Sequence, residues 1–103
     1  MYEPGVVIIN VSDLVDGANS PQKIGEKLVL AKTILQDFTY TRVIVQCRGG
    51  VSRSNTVAAG ILALWKGVDF DDALGEVASK VKRAQYNYDL VDSVRATLKQ
   101  FKS

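Results

Sequence analysis

The sequence predicts an α/β fold: a small, parallel-containing sheet flanked by helices and built on a strand–helix–strand unit. Three observations predict it. Val6-Val7-Ile8-Ile9-Asn10-Val11 is a β-branched run without alternation, the pattern of a strand covered on both faces. Ile24, Leu28, Ala31, Leu35 and Phe38 then recur at helical spacing and mark an amphipathic helix. Val43-Ile44-Val45 is a second β-branched run, and the Ala- and Leu-rich run from Val57 to Trp65 behind it is too long for a strand.

Each element has its local cause. After the first strand, residues 12–19 form a loop with turn chemistry at Asp16-Gly17. Ser20 is an N-cap and Pro21 suits the first helical position. Thr39-Tyr40-Thr41 connects to the second strand, Val43 to Gln46, and the second helix ends near Gly67. Asp69 caps a third helix, with Asp72 placed as in a capping box and an inner stripe of Phe70, Ala73, Leu74, Val77 and Val81. Asn87 caps a fourth, with Leu90, Val91, Val94, Leu98 and Phe101 inside. Trp65 is expected in the core, and Tyr86 and Tyr88 as packing residues. Lys80, Lys82 and Arg83 fit a solvated helix end, where cations oppose the helix dipole.

The 103 residues fit a single domain, 1–103, with a modest core. Hydrophobic content of 47% with 23% charged residues is ordinary for a globular chain. No apolar run is long enough to span a bilayer, and residues 1–15 lack the pattern of a signal peptide, so no membrane association is expected. A single cysteine allows no internal disulfide, which fits a reducing, cytoplasmic compartment. A net charge of +2 gives no argument for nucleic acid. With no histidine, the usual zinc ligand and general base are missing. Catalysis would have to run on cysteine, carboxylates and arginine.

Those groups meet in Cys47-Arg48-Gly49-Gly50-Val51-Ser52-Arg53-Ser54, between the second strand and the buried helix. A glycine-bearing loop entering a helix N-terminus is an anion site, because its N–H groups can turn inward and the helix dipole adds positive charge. A thiol there, beside Arg48 and Arg53, is favoured as the thiolate. The planar fork of Arg53 suits two oxygens of one phosphoryl group. Gly49 and Gly50 permit close backbone approach. Ser54 can donate a hydrogen bond to the sulfur and stabilise it as a leaving group. The bland alternative is a core cysteine beside a surface arginine. A core cysteine would not usually be followed by Arg-Gly-Gly.

The run Cys47 to Ser54 resembles the C-x5-R-[S/T] signature of the cysteine-dependent protein phosphatases, and Val43–Leu64 resembles their dual-specificity branch. Asp16-Gly17 followed by Pro21 and a helix looks like the family's general-acid loop. Lys80 to Arg83 followed by Asn87 looks like its C-terminal end. The resemblance implies a protein-tyrosine-phosphatase-like fold with fewer strands. It implies metal-independent hydrolysis of phosphomonoesters without a cofactor, on phosphotyrosine proteins and, in a shallow pocket, phosphoserine and phosphothreonine proteins. By the same resemblance Cys47 attacks phosphorus, and Asp16 donates a proton to the leaving oxygen. Arg53 and the loop Arg48, Gly49, Gly50, Val51 and Ser52 hold the phosphoryl oxygens, and Ser54 stabilises the departing sulfur.

Asp13 competes with Asp16 for the acid role, and either can be a turn residue; the Asp-Gly pair and the spacing to Pro21 favour Asp16. Arg48 fits an acidic substrate group or plain solvation equally well. The chain departs from the family twice. Gln46 stands where the family has histidine, and only two strands can be found, which in the family fold need not be neighbours. A bare apolar edge would call for a homodimer or a partner domain. Two other functions compete: a phosphate-binding module without turnover, and a rhodanese-like sulfurtransferase, whose cysteine loop is one residue shorter.

Overall fold

The computed structural model describes residues 6–14, 19–37, 42–47, 52–80 and 86–101. The elements run β1 (Val6–Asn10), α1 (Pro21–Asp37), β2 (Arg42–Gln46), α2 (Ser52–Lys66), α3 (Phe70–Lys80) and α4 (Tyr88–Gln100). β1 and β2 are parallel neighbours, with Val6 opposite Arg42, Ile8 opposite Ile44 and Asn10 opposite Gln46. The predicted α/β class is therefore the observed one, and α1 is the crossover of the strand–helix–strand unit.

Side chains set most helix starts. Ser20 Oγ accepts from the Lys23 N–H at 3.3 Å and opens α1. Asn87 caps α4, its Oδ1 accepting from the N–H groups of Asp89 (3.0 Å) and Leu90 (3.2 Å). Asp69 opens α3, but its Oδ1 accepts from Asp71 N–H at 2.8 Å, and no bond returns from Asp72 among the described residues. The start is thus an Asx turn rather than a capping box. α2 stops at Gly67, whose φ of 70° is the left-handed conformation of a helix C-terminus, and its N–H reaches the Ala63 carbonyl at 2.9 Å.

The core lies between one face of the sheet and the helices. Val11, Leu14, Ile24, Leu28, Ala31, Val57, Ala59, Leu90 and Val94 are fully buried there. α2 is the central helix and touches α1, α3, α4 and β2. Neighbours crowd its Gly60: a Cβ there would lie 2.7 Å from Val94 Cγ1 and 3.1 Å from Leu28 Cδ2. On the surface, Arg95 of α4 grips Asp71 of α3 with two hydrogen bonds, 3.0 and 2.9 Å, and lies over the Phe70 ring.

Several expectations are corrected. The first strand is not covered on both faces: Ile8 is 56% exposed and its neighbour Ile44 is 39% exposed. Leu35 of α1 and Ile61 and Trp65 of α2 gather on the Val43 and Val45 side of β2, so the opposite face has no helix to cover it among the described residues. Trp65 sits at the outer end of α2 with 39% of its surface exposed rather than in the core. Phe101 falls on the turn that ends α4 and is 44% exposed, and Tyr88, at the first helical position, projects fully into solvent. Tyr86 does pack, half-buried, with its hydroxyl donating to the Leu74 carbonyl at 2.7 Å. Phe38, Val81, Lys82 and Arg83 lie outside the described residues.

We predict that Gly60→Ala destabilises the protein by about 1 kcal/mol or more. Overpacking of about 1–3 kcal/mol outweighs the helix-propensity gain of up to about 1 kcal/mol. Urea titration checks this, and the penalty should shrink when Val94→Ala is combined with it.

Candidate active site

Four candidate residues, Cys47, Ser52, Arg53 and Ser54, are described, and they lie where β2 hands over to α2. Cys47 follows the last residue of β2, is half-buried and packs against the core. Ser52, Arg53 and Ser54 form the first turn of α2, all half-buried. Arg48, Gly49, Gly50 and Val51, which join these two groups, lie outside the described residues, as does Asp16. Gln46 is on the exposed face of the sheet, and its carbonyl accepts from Val11 N–H at 2.9 Å, extending the ladder past the end of β1.

Arg53 fixes the geometry. Its Nη1 donates to the carbonyl of Leu14 at 2.9 Å and to that of Ser12 at 3.2 Å. A guanidinium is planar, so bonds from one terminal nitrogen to two carbonyls orient the whole fork. The bonds also tie the first turn of α2 to the loop that follows β1. That loop is shaped locally as well: Ser12 N–H binds Asn10 Oδ1 at 2.8 Å, Leu14 N–H binds the Val11 carbonyl at 3.0 Å, and the Leu14 side chain is buried. Its far end is held by Asn19 N–H, which reaches Ser93 Oγ of α4 at 3.1 Å.

Ser52 braces the other side. Its Oγ accepts from Asn87 N–H at 3.0 Å, joining the start of α2 to the cap of α4. Its carbonyl accepts from Thr56 Oγ1 at 2.7 Å within α2. Asn55, one turn into α2, is buried, and its Nδ2 has no hydrogen-bond partner among the described residues.

Asp13 has another occupation. It pairs with Lys27 of α1 at 3.1 Å, and the same ammonium donates to the Asn10 carbonyl at 3.0 Å. Desolvation pushes the Asp13 carboxyl up, but the Lys27 hydrogen bond and charge outweigh it. The group ends below its ordinary value of 3.8. It is therefore ionised at neutral pH and has no proton to donate. Sequence reasoning did not single out Lys27, Ser93 or Asn87 as supports of this region. Asn10, read as part of the strand run, carries the local signal for the Asn10-to-Ser12 turn in its residue type, whereas the Lys27 contact exists only once α1 has folded back over the end of β1.

A cavity of about 470 Å³ is at the other end of α2, beside Gly67, Phe70 and Arg95. None of the candidate residues lines it. Among the described residues no group of three or more His, Cys, Asp or Glu side chains could hold a metal ion, and no helix is long and apolar enough to cross a membrane.

Two expectations test this geometry. Replacing Arg53→Lys removes the planar tie, and hydrogen exchange at the Leu14 amide should accelerate by about tenfold, corresponding to loss of a charge-assisted bond of about 1.5 kcal/mol. The Asp13–Lys27 pair adds stability that is present above pH 3.8 and is lost as pH falls through the lower folded-state value. The gap in urea midpoint between wild type and Asp13→Asn, present at about pH 7, should close by about pH 2.

No family model matches the chain, and no curated protein matches it. Among solved structures it is similar to one titled "Crystal structure of Tk-PTP in the active form", with a TM-score of 0.68 and 24% sequence identity. The match covers 82% of this chain and 56% of that one, so the chain spans little more than half the length of Tk-PTP. The fold, with two parallel strands and four helices among the described residues, is thus protein-tyrosine-phosphatase-like.

Proposed function

We propose that the protein is a metal-independent phosphomonoester hydrolase of the tyrosine or dual-specificity phosphatase type, acting on phosphorylated proteins through a phosphocysteine intermediate. The observation that carries the reading is the Arg53 bond pair to Ser12 and Leu14. An arginine on the first turn after the cysteine loop is held against the chain segment leading to Asp16. Leu14 is two residues from Asp16, so chain connectivity keeps their Cα atoms within about 7 Å. The fold shared with Tk-PTP supports the same reading.

In this mechanism the Cys47 thiolate attacks phosphorus as the bond to the leaving oxygen breaks. Asp16 gives its proton to that oxygen, and Arg53 with the N–H groups of the loop from Arg48 to Ser52 holds the three remaining oxygens. Asp16, now ionised, takes a proton from water as the water attacks the phosphocysteine. The sulfur leaves as thiolate, stabilised by a hydrogen bond from Ser54, and inorganic phosphate is released. The pairing of Asp13 with Lys27 supports assigning the acid to Asp16. A second reading, phosphate binding without turnover, is favoured by Gln46: a neutral side chain on the exposed face of the sheet cannot supply charge to the sulfur.

Hydrolysis of a chromogenic aryl phosphate in the presence of chelator separates the two. We expect turnover by wild type, background rates for Cys47→Ser, and a loss of about a hundredfold for Asp16→Ala. Asp13→Asn should stay within about threefold of wild type. Equal rates for wild type and Cys47→Ser would remove the enzyme reading. Phosphate binding that needs Arg53, without turnover, would establish the second.

A further inference from the structure

The carbonyls of Ser12 and Leu14 that accept from Arg53 belong to a short loop, so the direction of the guanidinium depends on what holds that loop. Local bonds give it shape: Asn10 Oδ1 accepts from Ser12 N–H, and the Val11 carbonyl accepts from Leu14 N–H. The angle between the two acceptor carbonyls is set by the torsions of Asp13 and Leu14. Leu14 is fixed by its N–H bond and its buried side chain. Asp13 has no such anchor of its own, since its side chain is 54% exposed. Lys27 of α1 supplies one. Its ammonium pairs with Asp13 Oδ1 at 3.1 Å and donates to the Asn10 carbonyl at 3.0 Å. An ion pair in open water adds little, but only 22% of the Lys27 side chain is exposed, and its charge serves a carbonyl as well.

We propose that Lys27 is a positioning residue: through Asn10 and Asp13 it holds the two carbonyls that aim Arg53 at a phosphoryl group. The inference rests on the reading of Arg53 as the group that holds phosphoryl oxygens. Lys27 acts on orientation alone. A guanidinium that loses its aim keeps its charge but no longer presents its planar fork to two oxygens at once. In Asp13→Asn the ammonium keeps its bond to the Asn10 carbonyl, and for that reason the variant stays near wild type. Removing the ammonium takes away both contacts together.

Lys27→Met tests it, because methionine keeps most of the apolar stem and lacks the ammonium. The Asp13 carboxylate left behind is exposed, so no buried charge is orphaned and the variant should fold. Two quantities are measured: affinity for inorganic phosphate by titration calorimetry, and kcat/KM on an aryl phosphate. Lys27→Met should lower each by about tenfold. The double variant with Arg53→Lys should lie within about threefold of Arg53→Lys alone, since both changes remove one orientation. Gly60→Ala loses stability without touching the loop and should leave both quantities within about twofold of wild type. Phosphate affinity that depends on Lys27, in a protein without turnover, ends the enzyme reading and upholds the positioning role. Turnover and phosphate affinity both indifferent to Lys27→Met overturn the positioning role and spare the enzyme. Effects of Lys27→Met and Arg53→Lys that simply multiply overturn it too, since the ammonium then acts by another route. A wild type that neither binds phosphate nor hydrolyses the ester overturns both.

Discussion

The bond pair from Arg53 to the Ser12 and Leu14 carbonyls is the constraint on which the site depends. Hydrogen bonds involving a charged group contribute about 1.5–3 kcal/mol each, more than most surface contacts in a chain of this size. These two act on both ends at once. They orient the Arg53 guanidinium, and they fix the loop after β1 against the first turn of α2. Lys27 pins the same loop from α1, through Asn10 and Asp13, and Ser93 holds its far end from α4. The candidate site is thus assembled from contacts between elements distant in sequence.

This dependence explains what could be foreseen from residue order. Ser20, Asn87 and Gly67 act locally, through caps and one positive φ, and their roles follow from residue type. The buried stripes Ile24–Leu28–Ala31 and Leu90–Val91–Val94–Leu98 follow from helical spacing alone. The parallel direction of β1 and β2 follows from a crossover helix between two apolar runs, whereas their direct pairing is left open by the sequence. Partners across the fold carried no local signal. Nothing near Asp13 in sequence announces Lys27, and nothing near Ser52 announces Asn87. The exposure of Trp65, Tyr88 and Phe101 was missed for a related reason: each stands at a helix end, where spacing still says "inside" but the neighbouring element has already ended.

Among the described residues two five-residue strands form the sheet, and α2 packs against α1, α3, α4 and β2, with the Val94 and Leu28 side chains close against Gly60. Among the described residues the sheet leaves an uncovered face at Ile8 and Ile44, because the core is carried on the other side.

In the proposed mechanism the sulfur of Cys47 becomes bonded to phosphorus during turnover. Rapid acid quench of the protein with an aryl phosphate, followed by peptide mass analysis, measures this directly. The account predicts a gain of about 80 Da, one phosphoryl group, confined to the peptide that contains Cys47. Turnover with the label on another residue, or with no covalent label at any quench time, would contradict it.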